Sequence, residues 1–237
     1  MPVRIVLHAL AATVLLACAK TAESAPASPG TGAAATPALQ KYGPDQLPVA
    51  LDTALLRKAD LGRIAGDSGA RLIVLEVSDF QCPYCKDFHD QTYPAVKAEY
   101  VDKGRTRLAY VNLPLSSHQN AWPAAEAAMC ASVQGQFWAM HDSLFVAQQR
   151  WAAITKADTM FARFARTLPL DTLAWDRCMT SHATRPLIAS DAERSSSAGI
   201  SGTPAFIIGD SVIAGAYPFA AFKRVIDANL AARAAPR

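Results

Sequence analysis

The sequence predicts an α/β fold, in which a mixed central sheet is flanked by helices and interrupted by an inserted helical domain. A β-branched run at residues 72–77 is typical of a buried strand, and a helical pattern follows it at once. Residues 107–113 resemble a second strand, and residues 205–215 resemble a hairpin followed by a last helix. Between them lies an alanine-rich, aromatic-rich helical stretch, residues 119–197. One sheet with a helical insertion accounts for this order.

Length, composition and charge set the broad class. The chain has 237 residues, of which 51% are hydrophobic and 18% are charged, so it can form one or two cores. The formal net charge is only +3, and no basic stripe alternates with aromatic residues. Nucleic acid is therefore not an expected partner.

The first residues resemble an export signal. Residues 5–16 form an apolar run that is too short to cross a bilayer, and we predict a signal peptide over residues 1–17. The run ends in Leu15-Leu16-Ala17-Cys18, which resembles the lipobox of bacterial lipoproteins. That resemblance implies a lipid on Cys18 and a membrane anchor; the alternative is a plain signal peptide with an incidental cysteine.

The domain boundaries follow from composition and element order. Residues 18–50 are rich in Ala, Pro, Ser and Thr and predict a flexible tether behind the lipid anchor site. We assign residues 51–115 and 198–234 to the sheet-containing domain, and residues 116–197 to the inserted helical domain.

Five cysteines would leave an odd one in an exported protein. If Cys18 carries a lipid, Cys82, Cys85, Cys130 and Cys178 remain and can form two pairs. An exported chain lies in an oxidising compartment, where both pairs can exist as disulfides.

The motif Cys82-Pro83-Tyr84-Cys85 lies where the first strand ends and a helix begins. Pro83 suits the first helical turn, where its missing N–H has no cost. Unpaired N–H groups and the positive end of the helix dipole should stabilise a thiolate on Cys82, in a setting that lowers cysteine pKa values from about 8.5 toward roughly 3.5–7.5. We expect Cys82 to be exposed, and Cys85 to be the buried partner that closes the disulfide.

A CxxC motif alone is compatible with a zinc site, a haem attachment site, a redox pair or a structural bridge. Lys86 follows the motif where haem attachment needs histidine. A zinc site would need further ligands, but Cys130 and Cys178 are far away in sequence and His89 is a poor fourth ligand. The position between a strand and a helix favours a redox pair.

Two segments together carry a family resemblance: residues 76–85, EVSDFQCPYC, and residues 201–206, SGTPAF. They are similar to the DsbA-like branch of the thioredoxin superfamily, the extracytoplasmic thiol:disulfide oxidoreductases, and the element order agrees over residues 62–230. The resemblance implies a thioredoxin fold and a cis bond before Pro204 that packs against the CxxC motif. It also implies a substrate-binding surface, which we assign to Pro83, Tyr84, Thr203 and Pro204.

Glu76 lies inside an otherwise apolar strand, six residues before Cys82, and either points outward or is buried. The resemblance implies a buried acid that relays protons to the inner cysteine, and burial would raise its pKa. Some family members pair this acid with a lysine on the next strand, where this chain offers only Arg105 and Arg107. Asp79 is interpreted as a turn residue with a possible influence on Cys82.

Cys130 and Cys178 both lie in the helical insertion, where several family members carry a disulfide. We favour a structural disulfide; a second redox pair and two buried free thiols are the alternatives. His118 is interpreted as a capping or surface residue that has a smaller chance of facing the active site. His141 and His182 receive no functional role.

These observations together predict a lipid-anchored, periplasmic or cell-envelope oxidoreductase that exchanges the Cys82–Cys85 disulfide with thiols of exported proteins. The oxidase direction is favoured, with a reductase as the alternative and a copper-binding module as a less favoured one. We expect no cofactor or metal, a membrane redox partner that recycles the disulfide, and a monomer. The N-terminal dimerisation domain of related isomerases has no counterpart in the low-complexity tether.

Overall fold

The computed structural model describes residues 52–234. The five strands of this part are β1 (Ile64–Ala65), β2 (Leu72–Ser78), β3 (Thr106–Asn112), β4 (Ala205–Ile208) and β5 (Ser211–Ala214). Its helices are α1 (Thr53–Gly62), α2 (Pro83–Gln91), α3 (Tyr93–Val96), a π-helical turn (Lys97–Val101), α4 (Ala121–Ser132), α5 (Phe137–Val146), α6 (Gln148–Trp151), α7 (Asp158–Thr167), α8 (Thr172–Thr180), α9 (Arg185–Ser197) and α10 (Phe219–Ala234).

The strands form one mixed sheet in the order β1-β3-β2-β4-β5. Strand β2 is central, parallel to β3 and antiparallel to β4, while β1 and β5 are antiparallel edge strands. Six helices, α4 to α9, lie between β3 and β4 in the chain. The predicted mixed sheet with a helical insertion is confirmed, and the central strand leads directly into the CxxC motif.

Two apolar cores meet near that motif. The core between the sheet, α2 and α10 is built from alternate residues of β2 and from large side chains including Phe88, Phe206 and Phe222. The core of the insertion contains Trp151 and Phe161, and it continues to Cys82 and Cys85. The cysteines therefore lie where the insertion packs against the sheet domain.

The helix after the motif is interrupted near Pro94, because proline lacks an N–H and its ring crowds the preceding turn. Helix α2 ends at Gln91, and the chain continues through the short α3 and the π-helical turn. Gly104 follows with a positive φ of 66°, a conformation that favours glycine.

A buried ion pair ties the last helix of the insertion to the sheet. Arg63, directly before β1, donates to both carboxylate oxygens of Asp191 on α9, and Asp191 is fully buried. The backbone N–H and side-chain amide of Asn112, at the end of β3, also donate to Asp191, at 3.1 and 3.0 Å. Because these donors satisfy the buried carboxylate, α9 is fixed against the edge of the sheet.

Within the insertion, Cys130 on α4 and Cys178 on α8 are joined by a disulfide, with 5.8 Å between their Cα atoms. The Trp175 indole N–H donates to the Ala127 carbonyl at 3.0 Å and joins the same two helices.

The predicted signal peptide (1–17), Cys18 and the whole of the predicted tether (18–50) lie outside the described residues. Among residues 52–234, no helix has the combined length and apolar character that crossing a bilayer would require.

Candidate active site

The turn between β2 and α2 sets the direction of the cysteines. The Asp79 carboxylate accepts the Gln81 N–H at 2.8 Å, and the Asp79 carbonyl accepts the Cys82 N–H at 3.0 Å. Cys82 is then the residue that caps α2, with Pro83 as the first residue of the helix. The predicted turn role of Asp79 and the predicted helix start are both present in the structure.

Both thiols are free and buried, and Cys82 is only 3% exposed. The expectation of an exposed Cys82 is therefore wrong. The sequence could not show that the loop before β4 covers the sulfur: the Cys82 Sγ lies 3.4 Å from the Thr203 carbonyl oxygen. Beside the buried sulfur, Pro83 and Tyr84 are exposed, and Tyr84 is 64% accessible.

The pKa values of the two thiols are shifted in opposite directions. A hydrogen bond from the Cys85 thiol lowers the pKa of Cys82 to about 6, with further help from the backbone N–H groups of Tyr84 and Cys85. Burial raises the pKa of Cys85 well above its ordinary value, and the neighbouring Cys82 sulfur raises it further. Near neutral pH, Cys82 is a thiolate and Cys85 is a thiol that donates to it.

The loop before β4 places Thr203 and Pro204 against the cysteines. The bond between these two residues is cis, and Pro204 is buried while Ser201 and Gly202 are exposed. The Thr203 hydroxyl is buried and has no hydrogen-bond partner in the described part of the chain. The structure therefore brings the loop of Thr203 and Pro204 beside Cys82.

Glu76 lies beneath the motif and is 1% exposed. Burial raises its pKa to about 7, and the charge of His89 acts in the opposite direction. Tyr110 is its neighbour on β3, and one Glu76 oxygen and the Tyr110 and Ser78 hydroxyls lack hydrogen-bond partners among residues 52–234. A carboxyl with this pKa can accept and donate a proton at physiological pH.

Neither arginine considered as a partner for this acid is paired with it. Arg105 binds Glu99 and Asp227 on the surface, at 3.4 and 3.2 Å. The Nε of Arg107 is buried and lacks a partner among the described residues. The cation that acts on Glu76 is His89 of α2.

Sequence reasoning missed Gln148, which holds the backbone of the motif. Its buried side-chain amide donates to the Phe80 carbonyl at 2.7 Å and to the Cys82 carbonyl at 2.9 Å. Gln81 also crosses to the insertion: its amide donates to the Ala152 carbonyl at 2.8 Å, and its oxygen accepts the Asn120 N–H at 2.6 Å. The one signal available was a polar residue inside an apolar helical block.

His118 occupies a position that the sequence interpretation did not favour. Its Nδ1 donates to the buried Asp79 carboxylate at 2.7 Å, and its side chain is 20% exposed. The preferred capping or surface role is therefore wrong, because the loop after β3 folds back onto the turn that carries Cys82.

Among the described residues, one group could hold a metal ion: His89, His141 and Asp142, whose ligand atoms lie within 4.8 Å of one another. These atoms already pair with one another. The Asp142 carboxylate is 2.8 Å from the His141 Nδ1 and 3.5 Å from the His89 Nε2, and His89 also bonds Asp90 through its Nδ1. This network links α2 to α5.

Comparisons with known proteins agree with this geometry. A family model described as thioredoxin matches residues 58–228. The Na(+)/H(+) antiporter NhaA 3 of Salinispora tropica is 35% identical over 150 residues, which are 63% of this chain and 22% of the antiporter. The probable disulfide bond formation protein D of Bacillus anthracis is 25% identical over 169 residues, 70% of this chain and 76% of that protein.

Among solved structures, oxidised BdbD from Bacillus subtilis superposes with a TM-score of 0.66 at 22% identity, over 72% of this chain and 94% of that chain. This likeness shows a common fold. The chain spans only about a fifth of the length of the antiporter that it matches.

Proposed function

The chain belongs to the thioredoxin family, and from this premise we propose that it is a thiol:disulfide oxidoreductase acting on exported proteins. The observation that carries the proposal is the pair of free cysteines with opposite acidities, Cys82 and Cys85, beside a cis-proline loop. The similarity to a probable disulfide bond formation protein supports the same activity.

In the proposed reaction, a client thiolate attacks the Cys82 sulfur of the Cys82–Cys85 disulfide. A bond forms between the client and Cys82, the bond between the two cysteines breaks, and its electron pair leaves on Cys85. The high proton affinity of Cys85 then draws a proton, for which Glu76 is the buried donor. A second client thiolate attacks the client sulfur and releases Cys82 as a thiolate, so that the client is oxidised and the enzyme reduced.

Pro83, Tyr84, Thr203 and Pro204 are proposed to contact the client. Tyr84 offers an exposed aromatic surface, and the loop around Thr203 lies against the reacting sulfur. No organic cofactor is needed, because the disulfide itself is the redox group. A membrane redox partner would reoxidise the cysteines after each cycle.

The oxidase direction is supported by the stabilised thiolate. A reduced form that is stabilised at Cys82 makes the disulfide a stronger oxidant. We expect a reduction potential between about −120 and −180 mV in a glutathione buffer, whereas a value near −270 mV would indicate the alternative reductase.

The activity is tested by trapping client proteins. Replacement of Cys85 by Ser should leave mixed disulfides on Cys82, because the resolving thiol is gone, whereas Cys82→Ser should trap few clients. Non-reducing gels of cell-envelope extracts, followed by mass spectrometry of the captured adducts, make the comparison. Equal trapping by the two variants, or none by either, would contradict the proposed roles.

The lipid anchor is a separate part of the proposal. The sequence match at residues 15–18 supports lipidation of Cys18, which would hold a monomeric enzyme at the membrane. Palmitate labelling of the full chain should disappear in Cys18→Ser while thiol exchange continues. Labelling that persists in this variant would exclude the anchor.

Copper binding through Cys82 and Cys85 is the alternative of a different class. Soft thiolate ligands select Cu(I), so the reduced protein would bind it in a titration with a competing chelator. Tight copper binding together with absent disulfide exchange would favour this alternative.

A further inference from the structure

The loop after β3 is bound to the turn before Cys82 through one carboxylate. Asp79 is fully buried, and its Oδ2 accepts the Leu115 N–H at 2.9 Å and the His118 Nδ1–H at 2.7 Å. The His118 backbone N–H in turn donates to the Leu115 carbonyl at 3.0 Å. The imidazole is therefore fixed in position by its own loop and by Asp79.

The same turn links His118 to the reactive sulfur. Asp79 accepts His118 with its side chain and the Cys82 N–H with its backbone carbonyl, so one residue orients both groups. The reaction proposed above uses Cys82, Cys85 and Glu76 and leaves this buried carboxylate–imidazole pair without a role.

The charges of His118 and Cys82 each affect the pKa of the other group. The hydrogen bond to Asp79 raises the pKa of His118, against the effect of partial burial, and the negative charge of Cys82 raises it further. Linkage between two titrating groups is reciprocal, so a protonated His118 favours the Cys82 thiolate to the same extent. Asp79 at the end of β2 and Cys82 at the start of α2 are the titratable groups that face the imidazole, and residues 113–120 carry no other charged side chain.

We propose that His118, held by Asp79, is a positioning residue whose protonated imidazole stabilises the Cys82 thiolate in the reduced protein. The proposal rests on the proposed oxidoreductase function. It acts at the second exchange step, when the bond between Cys82 and the client sulfur breaks and the electron pair leaves on Cys82. A fixed positive charge there makes Cys82 a better leaving group and requires no proton transfer.

The decisive variant is His118→Asn, whose side-chain amide can replace the Nδ1–H donor to Asp79 but cannot carry a charge. In the reduced full chain, the rate of iodoacetamide alkylation at Cys82 is followed against pH by mass spectrometry. We expect alkylation at pH 6 to be about twofold slower or more than in the wild type. The two rates should converge above about pH 9, where Cys82 is ionised in both proteins.

His182→Asn is the matched control, since His182 pairs with Glu126 in the insertion and has a positive φ of 52° that asparagine tolerates. Its alkylation profile should equal that of the wild type. A purely structural effect of His118→Asn would slow alkylation equally at every pH, and such a result, or an unchanged profile, would overturn the proposal.

A second measurement needs no variant. NMR titration of the wild type should give His118 a higher pKa in the reduced protein than in the disulfide form, because only the reduced form carries the Cys82 charge. Equal pKa values in the two forms would overturn the proposal even if His118→Asn failed to fold. Glutathione exchange by the wild type is measured alongside, so absent exchange would refute the enzyme function separately.

Discussion

The chemistry of this site is set by single residues whose environments differ over a few ångströms. Cys82 caps a helix and receives hydrogen bonds, which lower its pKa to about 6, while Cys85 is enclosed by apolar groups and holds its proton. Glu76 sits below them without a neutralising arginine or lysine, so burial dominates its titration. Solvation and hydrogen bonding thus distinguish the three groups to which we assign the proposed roles of nucleophile, resolving thiol and proton donor.

Glu76 should make stability depend on pH. Its pKa is raised from an ordinary 4.5 to about 7 by burial, so the folded state holds the proton after the unfolded state has released it. The stabilisation from this proton is complete below pH 4.5 and is lost as pH rises through about 7. The unfolding free energy of Glu76→Gln, taken relative to that of the wild type, should therefore be about 3 kcal/mol higher at pH 8 than at pH 4.

Urea unfolding of the reduced proteins at both pH values measures this difference. Glu193→Gln, an exposed change on α9, is the control and should show no such gain. A constant offset between Glu76→Gln and wild type across the pH range would contradict the assignment.

At the scale of elements, the junction of β2 and α2 is held from outside by the insertion. Gln148, the first residue of α6, satisfies the carbonyls of Phe80 and Cys82, which lie beyond the sheet ladder and have no strand partner. The Cys82 carbonyl also accepts the Lys86 N–H at 3.2 Å, so the Phe80 carbonyl is the one that depends on Gln148.

Gln148→Ala should leave the buried Phe80 carbonyl without a hydrogen bond and the Cys82 carbonyl with only the Lys86 N–H. A lost partner for a buried acceptor costs about 1–3 kcal/mol, and we expect a loss of unfolding free energy in that range. Thermal and urea unfolding measure it, with Gln149→Ala, on the exposed side of the same helix, as the control. If the unfolding curves of the two variants coincide, Gln148 does not have this stabilising role.

At the scale of the whole described region, a disulfide joins helices within the insertion, and a buried ion pair joins the insertion to the sheet domain. The Cys130–Cys178 disulfide joins α4 and α8, and the buried Arg63–Asp191 pair joins α9 to the sheet domain. Neither cysteine of the insertion belongs to the CxxC motif, so we assign this disulfide to stability.

The double change Cys130→Ser and Cys178→Ser tests that assignment. A bridge across 48 residues is worth about 4 kcal/mol in the chain-entropy model, so the variant should melt at a markedly lower temperature. Its rate of disulfide exchange at Cys82 should stay at the wild-type value, measured at a temperature where both proteins are folded. Lost exchange in a folded variant would indicate a second redox pair.

The sequence by itself determined the fold class and the position of the reactive motif. The apolar run of β2, the Cys82–Cys85 spacing, Pro83 at a helix start and the Gly-Thr-Pro segment are local signals, because propensity and periodicity act over a few residues. The mixed sheet with its helical insertion and the thioredoxin fold are confirmed. The anchor at Cys18 stays a prediction, since it lies outside the described residues.

Tertiary structure alone decided what surrounds the sulfur. The burial of Cys82 by the Thr203 loop, the support from Gln148 and the pairing of Asp79 with His118 join residues that are 121, 66 and 39 positions apart. No local pattern encodes such contacts, because a glutamine or histidine has the same propensity whether it faces water or a buried carbonyl. Contacts between residues far apart in the sequence set the solvation and hydrogen bonding of Cys82, and therefore its acidity. Only folding creates these contacts.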